Sequence, residues 1–149
     1  MDIGGGTGRV SQTFGDDYVV VVCDPSWGML KEAGQKQMIA CCGLAEYLPF
    51  ADGAFDRMVM VDTFHHLRDQ HVAAKETLRV LRPGGRLVIE EPDIRRWTVK
   101  LTALGERLLL MRSRFYSLAD LARVFEEAGG RIVAMEEGHD YNVRLAVEK

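Results

Sequence analysis

Four short apolar runs, set apart by helical patterns, constrain this chain more than any other feature. Tyr18-Val-Val-Val-Val-Cys23 ends in Asp24, and Met38-Ile-Ala-Cys-Cys42 runs into Gly43. Arg57-Met-Val-Met-Val61 ends in Asp62, and Arg86-Leu-Val-Ile89 ends in Glu90 and Glu91. A strand with one wet face alternates apolar and polar residues. These runs do not alternate, so they read as strands covered on both faces, as in a parallel sheet.

Parallel neighbours need crossovers, and helical patterns fill the gaps. Ser26 can cap a short helix carrying Met29, Leu30 and Ala33. Residues 70–82 bring Val72, Ala73, Leu78 and Leu81 near one stripe, and Pro83-Gly84-Gly85 is expected to turn the chain there. Residues 98–111 place Leu101, Leu104, Leu108 and Met111 at helical spacing. Ser117, with Asp120 three residues on, forms a near capping box for a helix that stops at Gly129-Gly130. The end reads differently. Ile132–Met135, then Gly138-His-Asp-Tyr-Asn142, then Val143, Leu145 and Val147 at every second position predict a closing antiparallel hairpin. The whole is an α/β sandwich with helices on both faces of the sheet.

Composition removes several function classes. The 149 residues carry a net charge of −3, without the basic surplus of a nucleic-acid binder. With 47% apolar and 28% charged residues the chain has enough apolar surface for a core. No apolar run approaches the roughly 20 residues of a membrane helix. The glycine-rich start does not resemble a signal peptide. Cys23, Cys41 and Cys42 form no CxxC, so the expectation is a reduced, cytoplasmic protein without a metal site.

The chemistry starts at Asp2-Ile-Gly-Gly-Gly-Thr-Gly8. Glycines let a ligand approach the main chain closely, and a helix after Thr7 would aim its free N–H groups at that ligand. Asp24 ends the next strand, where a carboxylate suits the two hydroxyls of an adenosine ribose. A dinucleotide fingerprint needs GxGxxG. Counted from Gly4 its third glycine falls on Arg9, and counted from Gly6 it falls on Ser11, so a nicotinamide cofactor is disfavoured.

The loop resembles motif I of the class I S-adenosylmethionine-dependent methyltransferases, and the resemblance runs through most of the chain. Gly43-Leu-Ala-Glu-Tyr-Leu-Pro-Phe50 with Asp52-Gly-Ala-Phe-Asp56, then Phe64-His-His-Leu67 and Leu81-Arg-Pro-Gly-Gly85, follow the family's order. Phe115-Tyr-Ser-Leu118 and Glu126-Glu-Ala-Gly129 are similar to the branch that includes ubiquinone and menaquinone biosynthesis methyltransferases. The resemblance implies a Rossmann-like three-layer sandwich with strand order 3-2-1-4-5-7-6 and strand 7 antiparallel. It also implies helices upstream of the first strand, so residues 1–149 are expected to be one methyltransferase domain, N-terminally truncated, with part of strand 1 outside the sequence.

The cofactor implied is S-adenosylmethionine, with S-adenosylhomocysteine as product. By the same resemblance Asp2, Gly4, Gly5, Gly6 and Gly8 surround its methionine half. Asp24 takes the ribose, with Pro25 and Ser26 beside it and Trp27 or Met29 near the adenine. Leu44, Ala45 and Glu46 lie at the adenine, and Val61, Asp62 and Thr63 lie beside the sulfonium. Leu44 stands where the family usually has an acidic residue, which is expected either to weaken cofactor affinity or to leave the adenine amino group to the backbone.

No catalytic group is assigned. His65, His66, His139 and Tyr116 are candidates. Arg95, Trp97, Arg114, Tyr116 and Tyr141 are candidates for substrate contact. Arg95, Arg96, Lys100, Arg107, Arg112 and Arg114 outnumber Asp93 and Glu106 in one segment, which suits an anionic, aromatic small molecule. Cys41 and Cys42 alternate on a strand and are expected to be buried. Either a homodimer covers the short first strand or the isolated chain is expected to have low stability. The favoured function is methyl transfer to a small-molecule acceptor. The second reading is a non-catalytic or partner-dependent S-adenosylmethionine-binding subunit.

Overall fold

The computed structural model describes residues 1–36, 38–94, 114–138 and 142–149. The helix expected over 98–111, together with Arg95, Trp97, His139 and Tyr141, lies outside the described residues.

Seven strands form one sheet: β1 (Asp2–Ile3), β2 (Val21–Asp24), β3 (Ile39–Cys42), β4 (Phe55–Val61), β5 (Leu81–Pro92), β6 (Arg131–Glu137) and β7 (Asn142–Glu148). The order is β3-β2-β1-β4-β5-β7-β6, as expected. β1 to β5 pair in parallel, and β7 runs antiparallel between β5 and β6. Order and direction both follow the implied methyltransferase pattern.

Helices α1 (Trp27–Gln35), α2 (Gln70–Val80) and α3 (Leu118–Glu127) start at three side-chain caps. Ser26, Asp69 and Ser117 accept from the backbone N–H groups of Met29, Val72 and Asp120. Ser117 also donates its hydroxyl to Asp120 Oδ2 at 2.7 Å, a side-chain bond in place of the backbone bond of a full capping box. α1 packs over β2 through Val22, Leu30 and Ala33. The main core lies on the other sheet face, where Met58, Met60, Leu87, Ile89 and Leu145 meet Ala73, Leu78, Leu121 and Phe125 of α2 and α3.

Five local expectations are corrected. The segment after the glycine loop is a 3-10 helix over Ser11–Asp17, broken at Gly15, rather than an α-helix. β2 begins at Val21, three residues late, because β1 and β3 pair only with Val21–Asp24. Tyr18 and Val19 therefore stand in solvent. In α2 the buried stripe is Ala73, Ala74, Thr77 and Leu78, while Val72 is exposed. Leu81-Arg-Pro-Gly-Gly85 is the start of β5, bulged where pairing slips between Phe55 and Arg57. Cys41 is half-buried and Cys42 exposed, because β3 is the sheet's edge strand.

Candidate functional site

Parallel strands end together, so the loops after β1, β2, β3 and β4 converge at one edge of the sheet, where open α/β folds bind ligands. There they enclose a cleft of about 480 Å³. Gly4, Asp24, Met29, Leu44, Asp62 and His66 line it, among others.

The glycine loop is its floor. Gly4, Gly6 and Gly8 have φ of +67°, +53° and +75°, a region that favours glycine. At Gly4 the space is taken as well. A Cβ on Gly4 would come within 2.2 Å of the Thr63 methyl, and one on Gly8 within 2.3 Å of Met38 Sδ. One on Gly5 would meet the Asp2 carboxylate at 2.6 Å. Asp2 lies beneath this floor, buried, and accepts from the Ser11 hydroxyl at 2.7 Å. Burial pushes its carboxyl above the usual range, a rise that the Ser11 bond moderates.

Asp24 ends β2 and is 7% exposed. Its Oδ2 accepts from Gly6 N at 3.1 Å and its Oδ1 from Ser26 N at 2.7 Å. The carboxylate thereby ties the glycine loop to the cap of α1. A carboxylate offers about four acceptor positions, so two remain for a ligand. Pro25, Ser26 and Met29 stand on the same wall.

After β3, Leu44 is 51% exposed in the cleft and Ala45 is buried. Glu46 also reaches the cleft, but its Oε1 accepts from Arg68 N at 2.9 Å and Asp69 N at 3.2 Å, the entry to α2.

After β4 the chain strains. Asp62 takes φ +50°, alone among the described non-glycine residues. Its carboxyl sits above the usual range through burial and the nearby Glu91. Val61, half-buried, precedes it at the strand end. The next turn is held by Glu91 at the end of β5. Glu91 Oε1 accepts from Thr63 N at 2.8 Å and Phe64 N at 2.7 Å, and Oε2 accepts from His65 N at 3.1 Å. His65 Nδ1 lies 2.5 Å from the same Oε2. A carboxylate facing successive N–H groups at the start of a 3-10 turn is a favourable pairing.

This network separates the histidine pair. His65 is buried, bound to Glu91 and stacked on Phe115 with ring centres 4.5 Å apart. His66 is exposed and faces the cleft. Tyr116 packs on Phe64 and donates to Gln70 Oε1 at 3.1 Å, and burial raises its phenol. Gln70 in turn donates to the carbonyls of Phe64 and Arg114. Arg114 donates its amide N–H to His65 O at 2.8 Å, which puts it beside the histidine turn.

The sequence reading placed Thr63 with Val61 and Asp62, and it missed Arg68 and Glu91 as parts of this site. Glu91 carried one signal, an acidic residue at the end of a strand, as Asp24 and Asp62 do.

Residues 1–89 match the methyltransferase-domain family, and the chain belongs to it. The resemblance to class I S-adenosylmethionine-dependent methyltransferases of the ubiquinone and menaquinone biosynthesis branch therefore holds. A demethylmenaquinone methyltransferase from Beutenbergia cavernae is 39% identical over 65% of this chain and 42% of its own length. The ubiquinone/menaquinone biosynthesis C-methyltransferase UbiE of Saccharophagus degradans is 34% identical over 61% of this chain and 41% of its own. The chain thus spans about two fifths of the length of the curated relatives it matches. Among solved structures, an S-adenosylmethionine-dependent methyltransferase from Thermotoga maritima superposes with a TM-score of 0.86 at 25% identity, covering 99% of this chain and 80% of that one. Another from Aquifex aeolicus gives 0.76 at 21% identity, covering 98% and 79%, and shares the fold.

Proposed function

We propose that residues 1–149 act as one domain that binds S-adenosylmethionine in this cleft and directs its methyl group to a small-molecule acceptor. The observation that carries the reading is Asp24, a buried carboxylate with spare acceptor positions, in a cleft floored by Gly4, where a Cβ would collide with Thr63. That arrangement fits an adenosine ribose held by charge-assisted hydrogen bonds. Asp24 would hold the ribose, Leu44 and Met29 would sandwich the adenine, and Gly4 and Gly6 would lie along the methionine half. Asp62 and Thr63 would face the sulfonium end.

When bound, S-adenosylmethionine supplies a methyl group already activated on positive sulfur, for in-line transfer to a carbon, oxygen or nitrogen nucleophile. The protein's work is then alignment and exclusion of water. The Glu91-held turn fixes Thr63 and His66 at the acceptor end, and Asp62 adds a carboxylate to that wall. Calorimetry with S-adenosylhomocysteine tests the reading, and tighter binding of NADH would overturn it.

For the acceptor we infer a planar, anionic or aromatic molecule. The names of the demethylmenaquinone relatives support this, as does Arg114 beside the histidine turn. Methyl transfer across phenolic acids, quinols and amines is the check, and activity confined to cationic amines would reverse it. We also infer pairing of two chains through the sheet face opposite α2 and α3. Val59, Val88 and Ala146 are register partners in one row there, and Val88 is 42% exposed. Sedimentation should give a dimer that Val88→Lys disrupts.

A further inference from the structure

Cys23 and Cys41 are direct register partners on the parallel strands β2 and β3. Partners of this kind point to the same face of a sheet, and here the packing agrees. Cys23 belongs to the main core cluster and Cys41 packs against it, whereas Val22, one residue earlier, lies on the α1 face. Neighbouring strands run about 4.8 Å apart, inside the roughly 4.4–6.8 Å Cα separation of a disulfide. The partners differ in access. Cys23 is 1% exposed, while Cys41 is half-buried on the edge strand. Cys42 points elsewhere, with its thiol towards Pro25 O at 3.8 Å.

We propose that Cys23 and Cys41 are an oxidisable thiol pair that closes into a disulfide under hydroperoxide, next to the cofactor cleft. The Cys41 thiolate attacks a peroxide oxygen. An S–O bond forms, the O–O bond breaks, and the departing oxygen leaves with a proton as water or alcohol. The Cys23 sulfur then attacks the Cys41 sulfenic sulfur. The S–S bond forms, the S–O bond breaks, and hydroxide takes the Cys23 proton and leaves as water. The order of attack follows from access and from the Cys23 thiol itself, pushed up to about 12 by burial and by its thiol neighbours. A protonated, buried thiol is a poor first nucleophile and serves as the resolving partner.

The bond would sit one residue before Asp24, and Cys23 lines the cleft beside Gly43, whose added Cβ would lie 3.2 Å from the Cys23 sulfur. Oxidation would therefore clamp β2 to β3 where two cleft walls begin. This second effect rests on the proposed cofactor site, whereas the cross-link does not.

The test is hydroperoxide titration of the whole chain, then tryptic mapping without reductant. Peptide 10–31, which holds Cys23, should join peptide 37–57 with the loss of two hydrogens. The joined species should persist in Cys42→Ser, disappear in Cys41→Ser and be reversed by dithiothreitol. A bond that survives in Cys41→Ser, or links two chains, would overturn the pairing, as would no bond at all. S-adenosylhomocysteine affinity of reduced and oxidised protein reads the clamp, with a several-fold difference expected. Equal affinities would overturn the clamp. No binding in the reduced protein would instead count against the cofactor reading, because the peptide map reports the bond independently.

Discussion

Glu91 Oε2 lies 2.5 Å from His65 Nδ1, and both side chains are buried. One carboxylate at the end of β5 thus fixes the turn that follows β4, through three backbone N–H groups and one imidazole. Glu91→Gln keeps the shape but puts an amide NH₂ against N–H donors. A buried donor left unpaired costs about 1–3 kcal/mol. Chemical denaturation should register a loss of that size.

Asp24→Ala should weaken S-adenosylhomocysteine binding by about 1.5–3 kcal/mol, the range for hydrogen bonds to a charged group. That is roughly a 10- to 150-fold rise in Kd by calorimetry. Part of the loss would come through Gly6, whose N–H loses its acceptor. Unchanged affinity would remove Asp24 from the ribose.

Two glycine substitutions should move in opposite directions. Gly4→Ala meets both a positive φ and the Thr63 side chain, so it should lower the melting temperature and the affinity together. Residues forced into such backbone regions cost about 1–3 kcal/mol before any clash. Gly34 sits inside α1 with nothing within 4 Å of an added Cβ. Gly34→Ala should therefore stabilise by about 0.5–1 kcal/mol.

Asp2 predicts a pH dependence. Burial raises its carboxyl above 3.8 in the folded chain, so the folded state binds the proton more tightly than the unfolded one. Its contribution to stability is full at low pH and is lost as pH rises through that raised value. Asp2→Asn should remove this loss. Denaturation midpoints of variant and parent, followed upward from pH 4, should diverge in favour of the variant.

Tyr116→Phe removes the donor to Gln70, whose amide joins the carbonyls of Phe64 and Arg114. A stability loss of about 0.5–1.5 kcal/mol is expected. Methyl-transfer rate at saturating substrate should change little if the hydroxyl only positions Gln70. A collapse in that rate would make Tyr116 a substrate contact.

Much of the frame was legible in the sequence because its signals are local. The glycine spacing, the strand-end acids and the Ser117 cap each lie within a few residues of what they govern. Tyr18 and Val19 misled because a β-branched run says nothing of whether a neighbour exists to pair with it. Cys41 and Cys42 misled for the same reason, since edge position is a property of the sheet. The Glu91 hub was hidden because its partners lie 26 to 28 residues upstream. Glu46 kept its place at the cleft, yet its bonds to the entry of α2 were equally out of reach of any local pattern.

The floor of the cleft consists of main chain, which has a consequence for how such proteins diverge. Recognition by backbone groups passes unchanged through most substitutions, so side chains around it are free to drift. The Aquifex aeolicus structure, 21% identical, shares the fold at a TM-score of 0.76. What this floor demands of a sequence is a vacancy at Gly4, where a side chain would take the space of Thr63.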